Sequence, residues 1–439
     1  MKGFEITREG IKILDEEAAR KALDNLVYEA VFTEDKKLKE RQLTLVKEIA
    51  KALGAIPASI FELYKAMAQN FLGFTVPAIN IRGLTYDFAR TVFRVAIAQN
   101  VGAVIFEIAR SEMGYTKQRP LEYASVVTAA AAREGYTGPV FIQGDHFQFN
   151  RKAFFAAPEK EKQNIIKLID EALEAEFYQI DIDASTLVVL DKPTLREQQH
   201  YNSLLTAEMT DYIREHQPEG ITVTVGGEIG EIGGKNSTPE ELRAFMEEYL
   251  FHLKRKPGIS KISVQTGTAH GGVVLPDGSV AKVAVDFDTL KKLSEIARQE
   301  FGLAGAVQHG ASTLPDEMFH LFPEVRCCEI HLATGFQNLI YDHPALPEEF
   351  RQKIYTYLKE NFKNEWKEGM TEAQFIYKVR KRGFGPFKKE WWNLDPKIKK
   401  EIMATLAEKL TFLFEKLKVT ATKEVVSQHV KPTLVNKPL

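Results

Sequence analysis

Cysteine is almost absent from this 439-residue chain: only Cys327 and Cys328 occur, and they are adjacent. Neighbouring cysteines meet the geometry of an ordinary disulfide poorly and cannot form a CxxC metal knuckle, so the sequence fits a reducing compartment. Long apolar runs are missing as well. No stretch approaches the roughly 18 residues needed to span a bilayer, and the opening MKGFEITREGIKILDEE has charges every few residues where a secretory signal has its apolar core. An excess of charge of either sign is also lacking. With 58 basic against 60 acidic residues the formal net charge is -2, which argues against nucleic acid or an anionic membrane surface as a partner. The expectation is a soluble, cytoplasmic protein.

The length suits a complete (β/α)8 barrel with an extension, or about two to three ordinary domains. Residues 1–70 are rich in Ala, Leu, Glu and Lys, with apolar residues at i, i+3, i+4 as in Ala22, Leu23, Leu26 and Val27, and they read as a helical N-terminal extension without strands. From Thr75 short apolar runs alternate with amphipathic segments. The runs are Val76–Arg82, Gly102–Ile108, Pro139–Gly144, Phe177–Ala184, Thr222–Glu228, Lys261–Gly267, Ala304–Gly310 and Cys327–Ala333. Helical stretches between them include Tyr86–Asn100, Glu159–Ala175, Pro239–Arg255, Phe287–Phe301 and Pro315–Phe322; Thr238-Pro239-Glu240-Glu241 has the pattern of a capping box. Eight runs alternating with helices predict parallel strands joined by crossovers, most simply an α/β TIM barrel over residues 71–346, with a doubly wound open sheet as the alternative. Residues 347–429 read as a helical C-terminal segment and 430–439 as a tail.

Chemistry gathers at the ends of these runs. Asp145 and His146 follow the third run directly, and adjacent side chains on a strand face opposite ways, so the pair shares one site only if the strand ends there and the chain turns. Of ten histidines, His146, His270, His309 and His331 lie at or just beyond the ends of runs three, six, seven and eight, the rim where barrels of this type keep their functional residues. Three imidazoles on a divalent ion leave an open position, the pattern of a catalytic zinc, and His146, His270 and His309 are the expected ligands. Asp183 and Glu228 end runs four and five and bring carboxylates to the same rim. The glycine-flanked loop after Glu228 reads as a mobile cover; it is no dinucleotide fingerprint, because the next helix starts only at Pro239.

These motifs, in this order, resemble the class II, metal-dependent ketose-bisphosphate aldolases. The resemblance runs from about Thr75 to Leu339. Val76-Pro77-Ala78-Ile79-Asn80 is similar to the family's first strand, which places Asn80 among the substrate contacts. Gly144-Asp145-His146 resembles its catalytic aspartate and first zinc ligand, and Gly267-Thr268-Ala269-His270-Gly271 and His309-Gly310-Ala311-Ser312 resemble the segments carrying the other two ligands. Ile182-Asp183-Ala184-Ser185 and Glu228-Ile229-Gly230 resemble the strands whose acids hold a second or alternative metal position.

The resemblance implies reversible aldol cleavage of a ketose (bis)phosphate to triose products. Zn2+, or Co2+ or Mn2+, would act as Lewis acid and stabilise an enediolate, Asp145 would exchange the C4 hydroxyl proton, and Glu231 would handle the enediolate proton. Gly271, Gly310, Ser312 and Thr334 are the expected cradle for the substrate and its anion. The sequence departs from the pattern in two places: His270 is followed by Gly271-Gly272-Val273 instead of a tyrosine and lysine, and the last run ends His331-Leu332-Ala333-Thr334-Gly335 instead of Asn-x-Asp-Thr-Asp. That altered run makes His331 a substrate or acid/base candidate and keeps open a fructose/tagatose-type 4-epimerase on the same metal site. A non-catalytic barrel subunit is a further alternative. The only partner expected besides the sugar is a second copy of the chain, as a dimer or tetramer.

Overall fold

The computed structural model describes residues 3–8, 10–230, 235–267, 275–276 and 285–438. Eight parallel strands close into a barrel: β1 Val76–Asn80, β2 Ile105–Ala109, β3 Gly138–Gln148, β4 Gln179–Asp183, β5 Thr224–Glu228, β6 Lys261–Val264, β7 Ala306–Gln308 and β8 Glu329–Leu332. Each pairs in parallel with the next, and β8 closes on β1 through Ile330 beside Pro77 and His331 beside Ala78. All eight expected runs hold a strand, and the open-sheet alternative is excluded by closure. The crossover helices Thr85–Ala98, Pro158–Glu174, Pro239–His252 and Phe287–Gln299 lie where periodicity placed them. Thr238 forms the anticipated box, its hydroxyl accepting from Glu241 N at 3.2 Å while its own N donates to the Glu241 carboxylate at 2.7 Å. The helix expected over Pro315–Phe322 is instead a 3-10 turn at Asp316–Met318 and a single turn at Leu321–Glu324. Pro323 has no N–H to offer the preceding turn, so a longer helix is not sustained.

The strand that carries Asp145 does not end before it. β3 continues to Gln148, but its pairing with β4 shifts between Gly144, opposite Ile180, and Phe147, opposite Ile182. Two residues of β3 therefore face one of β4, a bulge with His146 at φ +42°. The bulge, not a strand end, is what brings Asp145 and His146 to one site. Gly144 permits it: a Cβ there would stand 2.3 Å from the Phe147 ring.

The N-terminal segment is not wholly helical. A hairpin of Phe4–Thr7 and Gly10–Ile13 precedes helices Glu16–Phe32 and Lys36–Ala52, and Ala55–Pro57 adds a short parallel strand outside β3. Phe4, Ile6, Ile11 and Ile13 alternate as a strand should, an alternation hidden by the helix-forming residues that follow. Helix Phe61–Gln69 then closes the barrel floor, where Ser59 bonds Thr222 O at 2.6 Å and the buried Tyr64 hydroxyl donates to Glu329 at the start of β8.

The C-terminal segment runs from the opposite end back to the floor, where Leu417 O accepts from Thr75 N at 3.0 Å. Its helices include Glu348–Asn361, Glu372–Val379 and Pro396–Lys416, with the buried Trp391 packed against Tyr341, Phe350 and Phe384. Phe384 occupies the space a side chain at Gly83 would need, and this contact fixes residues 377–381 beside the end of β1. The last residues are coil, tied down by Lys51, which donates to Val435 O at 2.5 Å. No helix among the described residues is long and apolar enough to cross a membrane.

Candidate active site

The barrel interior carries charge. Lys261, 1% exposed at its side chain, donates to Glu329 at 2.5 Å, Gln143 at 2.7 Å and Asp181 at 3.0 Å. The Gln143 amide donates in turn to Glu329 at 3.0 Å and Glu107 at 3.1 Å. The two opposite charges beside Lys261 outweigh its burial and hold its pKa above the usual lysine value. Burial pushes the Asp181 carboxyl up to about 6, against the pull of Lys261. This network supports the mouth of the barrel from below.

His331 connects the network to the mouth. Its Nε2 is 2.6 Å from Glu329, and its Nδ1 is 2.9 Å from Glu107 and 3.3 Å from Asp145 Oδ1. Three imidazoles follow in a row, with ring centres 4.0 Å apart for His331 and His309 and 4.4 Å apart for His309 and His146. His309 is held by Ser263 at 2.9 Å. His146 Nδ1 sits 2.9 Å from Asp183 and 3.1 Å from Glu228, and Asp183 is itself fixed by Gln148 at 2.5 Å and the Ser185 hydroxyl at 2.6 Å.

Burial would raise the Asp145 carboxyl, but His146, His331 and His309 outweigh it and hold the group well below its usual range. His146 is held well above the ordinary imidazole value: burial opposes, and Asp145, Glu228 and Asp183 prevail. Burial, with Asp183 nearby, lifts Glu228 to about 7, and burial lifts Glu107 to about 8. Carboxylates and imidazoles in one small volume, with pKa values pushed apart, are the electrostatics of an acid/base site.

The donor set fits a divalent ion. One ligand atom each from His146, Glu228 and His309 lies within 4.8 Å of the others, as do atoms from Asp145, His309 and His331. Asp145 Oδ1 is buried without a well-formed hydrogen bond. Two imidazoles and a carboxylate suit zinc and its neighbours, and Asp183 braces His146 as carboxylates do behind metal-bound imidazoles. Of the expected ligands, His270 lies outside the described residues, as do Glu231 and Gly271.

A cavity of about 680 Å³ opens on this cluster. Asp145, His146, His309 and His331 line it, with Asn80, Gly310, Ser312 and Thr334. Asn80 is oriented by donating to Glu112 at 2.6 Å. At the corner between β7 and β8, expected to cradle a phosphate, the Ser312 hydroxyl accepts the Gly335 N–H at 3.1 Å, and a Cβ on Gly335 would stand 2.3 Å from Ser312 O.

Positive charge enters from residues that the sequence did not single out. Arg82, Lys378 and Lys381 line the same cavity, with Tyr377. Arg82 gives Nε to Glu112 at 2.7 Å and Nη1 to Gln337 at 2.9 Å, which fixes its guanidinium. Lys381 is half-buried 5.9 Å above the Tyr115 ring, and burial together with Arg82 lowers its pKa. With Arg110, four cationic side chains line one cavity and mark a place for an anion. Glu107, Lys261 and Glu329 left a readable signal, as charges inside apolar runs; Lys378 and Lys381 lie in a lysine-rich helical segment with no local sign of a site.

The sequence model described as fructose-bisphosphate aldolase class-II matches residues 60–379, beyond Thr75–Leu339 at both ends. No curated protein sequence matches the chain. Among solved structures, the fructuronate-tagaturonate epimerase UxaE of Cohnella laeviribosi superposes with a TM-score of 0.57 at 13% identity, covering 83% of each chain. Fructose-bisphosphate aldolase from Campylobacter jejuni gives a TM-score of 0.50 at 19% identity, covering 83% of this chain and 97% of that one. At these identities the two structures speak for the fold.

Proposed function

The chain belongs to the class II fructose-bisphosphate aldolase family, and from that premise we propose that it breaks and re-forms the C3–C4 bond of a ketose with an anionic end, inverting C4. The observation that carries this reading is the pair Asp145 and His331, 3.3 Å apart beneath one cavity that Arg82, Arg110, Lys378 and Lys381 also line. A divalent ion held by His146, Glu228 and His309, with His270, would supply Lewis acidity to the ketose carbonyl and neutralise the charge that develops on cleavage.

The protein's own groups carry the remaining steps. Asp145, held ionised by the imidazoles around it, takes the C4 hydroxyl proton as the bond breaks. The aldehyde fragment carries the anionic end, and Arg82 and Lys381 tether it, so it stays in the cavity while the aldehyde turns its other face to C3. The proton returns to the oxygen in its new orientation from the Asp145–His331 pair, which shares it across the 3.3 Å contact. Asn80, set by Glu112, supplies a fixed polar contact to the sugar. A guanidinium and an ammonium take a carboxylate or a phosphate; the carboxylate is that of the uronates named for the Cohnella laeviribosi neighbour.

The second reading is release of the two fragments, an aldolase proper, and the family match supports it. The test is turnover of metal-loaded protein on fructuronate, tagaturonate, fructose 1,6-bisphosphate, fructose 6-phosphate and free fructose, with products separated and a trap for free aldehyde. Interconversion of the uronate pair without trapped aldehyde supports the 4-epimerase. Aldehyde released from a bisphosphate in stoichiometric amount replaces it with the aldolase, and no turnover of any ketose overturns both.

A further inference from the structure

A second convergence of imidazoles lies outside the barrel, on the helices that follow β4 and β5. His200 projects from helix Leu195–His216, while Glu248 and His252 stand one turn apart on helix Pro239–His252. His200 Nδ1 is 3.1 Å and His252 Nε2 2.9 Å from the same oxygen, Glu248 Oε1. One ligand atom from each residue lies within 4.8 Å of the other two. We propose that these three side chains form a divalent transition-metal site of the zinc type that ties the two helices together.

The donor set is two neutral imidazoles and a carboxylate, which zinc takes with a position left for water. Metal–ligand bonds of about 2.0–2.1 Å put neighbouring donors of a tetrahedral ion roughly 3.4 Å apart, so the observed separations need only a small expansion to admit the ion. Arg196 donates to the other oxygen, Glu248 Oε2, and thereby aims Oε1 at the histidines. A groove of about 330 Å³ beside His200, lined in part by Thr194 and Tyr201, gives the open position access to water. Glu248 is nearly buried and His200 half-exposed, so the ion would enter from the His200 side. The clamp bears on the barrel mouth, because Asn202, on the same helix as His200, donates to Glu228 O at 2.8 Å. Without metal the same contacts are two imidazole–carboxylate bonds, and metal uptake separates the two accounts.

The experiment titrates Zn2+ into metal-free full-length protein by calorimetry, with thermal unfolding followed in parallel. The parent chain, the paired variant His200→Ala/His252→Ala and the active-site variant His309→Ala are compared. The paired variant should bind one equivalent of Zn2+ fewer than the parent and lose part of the Zn2+-dependent rise in Tm, whereas His309→Ala should keep that equivalent. If the paired variant does not fold, the exposed-side change His200→Gln serves, with the same loss expected. Unchanged stoichiometry in the folded variant, or no Zn2+ uptake at all by His309→Ala, overturns the site.

Discussion

His331 Nδ1 stands 3.3 Å from Asp145 Oδ1, with the same imidazole 2.9 Å from Glu107 and 2.6 Å from Glu329 through its other nitrogen. A carboxylate beside a cationic imidazole keeps its charge in a buried place, and the imidazole in turn rests on two further acids. Replacing Asp145 by Asn removes the proton acceptor but leaves the size of the side chain. Turnover should fall about 10²–10⁴-fold, while metal content measured by elemental analysis stays at the parent value. Unchanged turnover removes Asp145 from the acid/base role. His331→Asn separates the two readings of function, because it should slow C4 inversion while trapped aldehyde rises.

The row His146, His309, His331 predicts where metal is lost. His309→Ala should lower metal occupancy at the mouth, and chelation of the parent should abolish turnover that Zn2+ or Co2+ restores. A chelated protein that turns over at the parent rate would remove the metal from the account.

Lys381 and Arg82 set the preference for an anionic end. An ionic hydrogen bond contributes about 1.5–3 kcal/mol, so Lys381→Met should raise KM for a uronate or ketose phosphate about 10–100-fold and leave that for free fructose nearly unchanged. An equal effect on charged and uncharged ketoses would show that Lys381 acts through packing.

Glu107 predicts a pH effect on stability. Burial raises its carboxyl from 4.5 to about 8, with Asp145 and Glu329 adding and His331 opposing. The folded protein thus holds a proton there that the unfolded chain releases near 4.5. The stabilisation is complete below about 4.5 and is lost as pH rises to about 8. Glu107→Gln, neutral throughout, should flatten the fall in stability over that window and be the more stable form above it, by on the order of 1 kcal/mol or more. Denaturant unfolding of metal-free protein at pH 5, 7 and 9 measures this, and parallel profiles for parent and variant would refute it.

Much of the site was legible in the sequence because barrel chemistry follows the strand ends. Asp145, His146, His309 and His331 could be placed from short apolar runs and the residues that follow them, and one cavity gathers all four. The bulge in β3 was not legible, since Gly138–Gln148 reads as a run that stops at Gly144; only pairing with β4 shows that two residues oppose one. The hairpin at Phe4–Ile13 was masked by its helical neighbours, too short and too half-exposed to dominate its window. Lys381 carries no local pattern either. It joins the site only because Phe384 packs into the space above Gly83 and brings residues some 300 positions apart to one wall. Such contacts depend on tertiary packing that no local periodicity encodes.

NMR of the metal-loaded protein acting on fructuronate in D2O reads directly which bond at C4 is broken. Cleavage and re-formation of the C3–C4 bond never breaks the C4–H bond, so the tagaturonate formed by the parent should retain protium at C4, and Asp145→Asn should form almost none. Deuterium at C4 of the product would mean that the carbon itself is deprotonated, and would contradict cleavage of the C3–C4 bond.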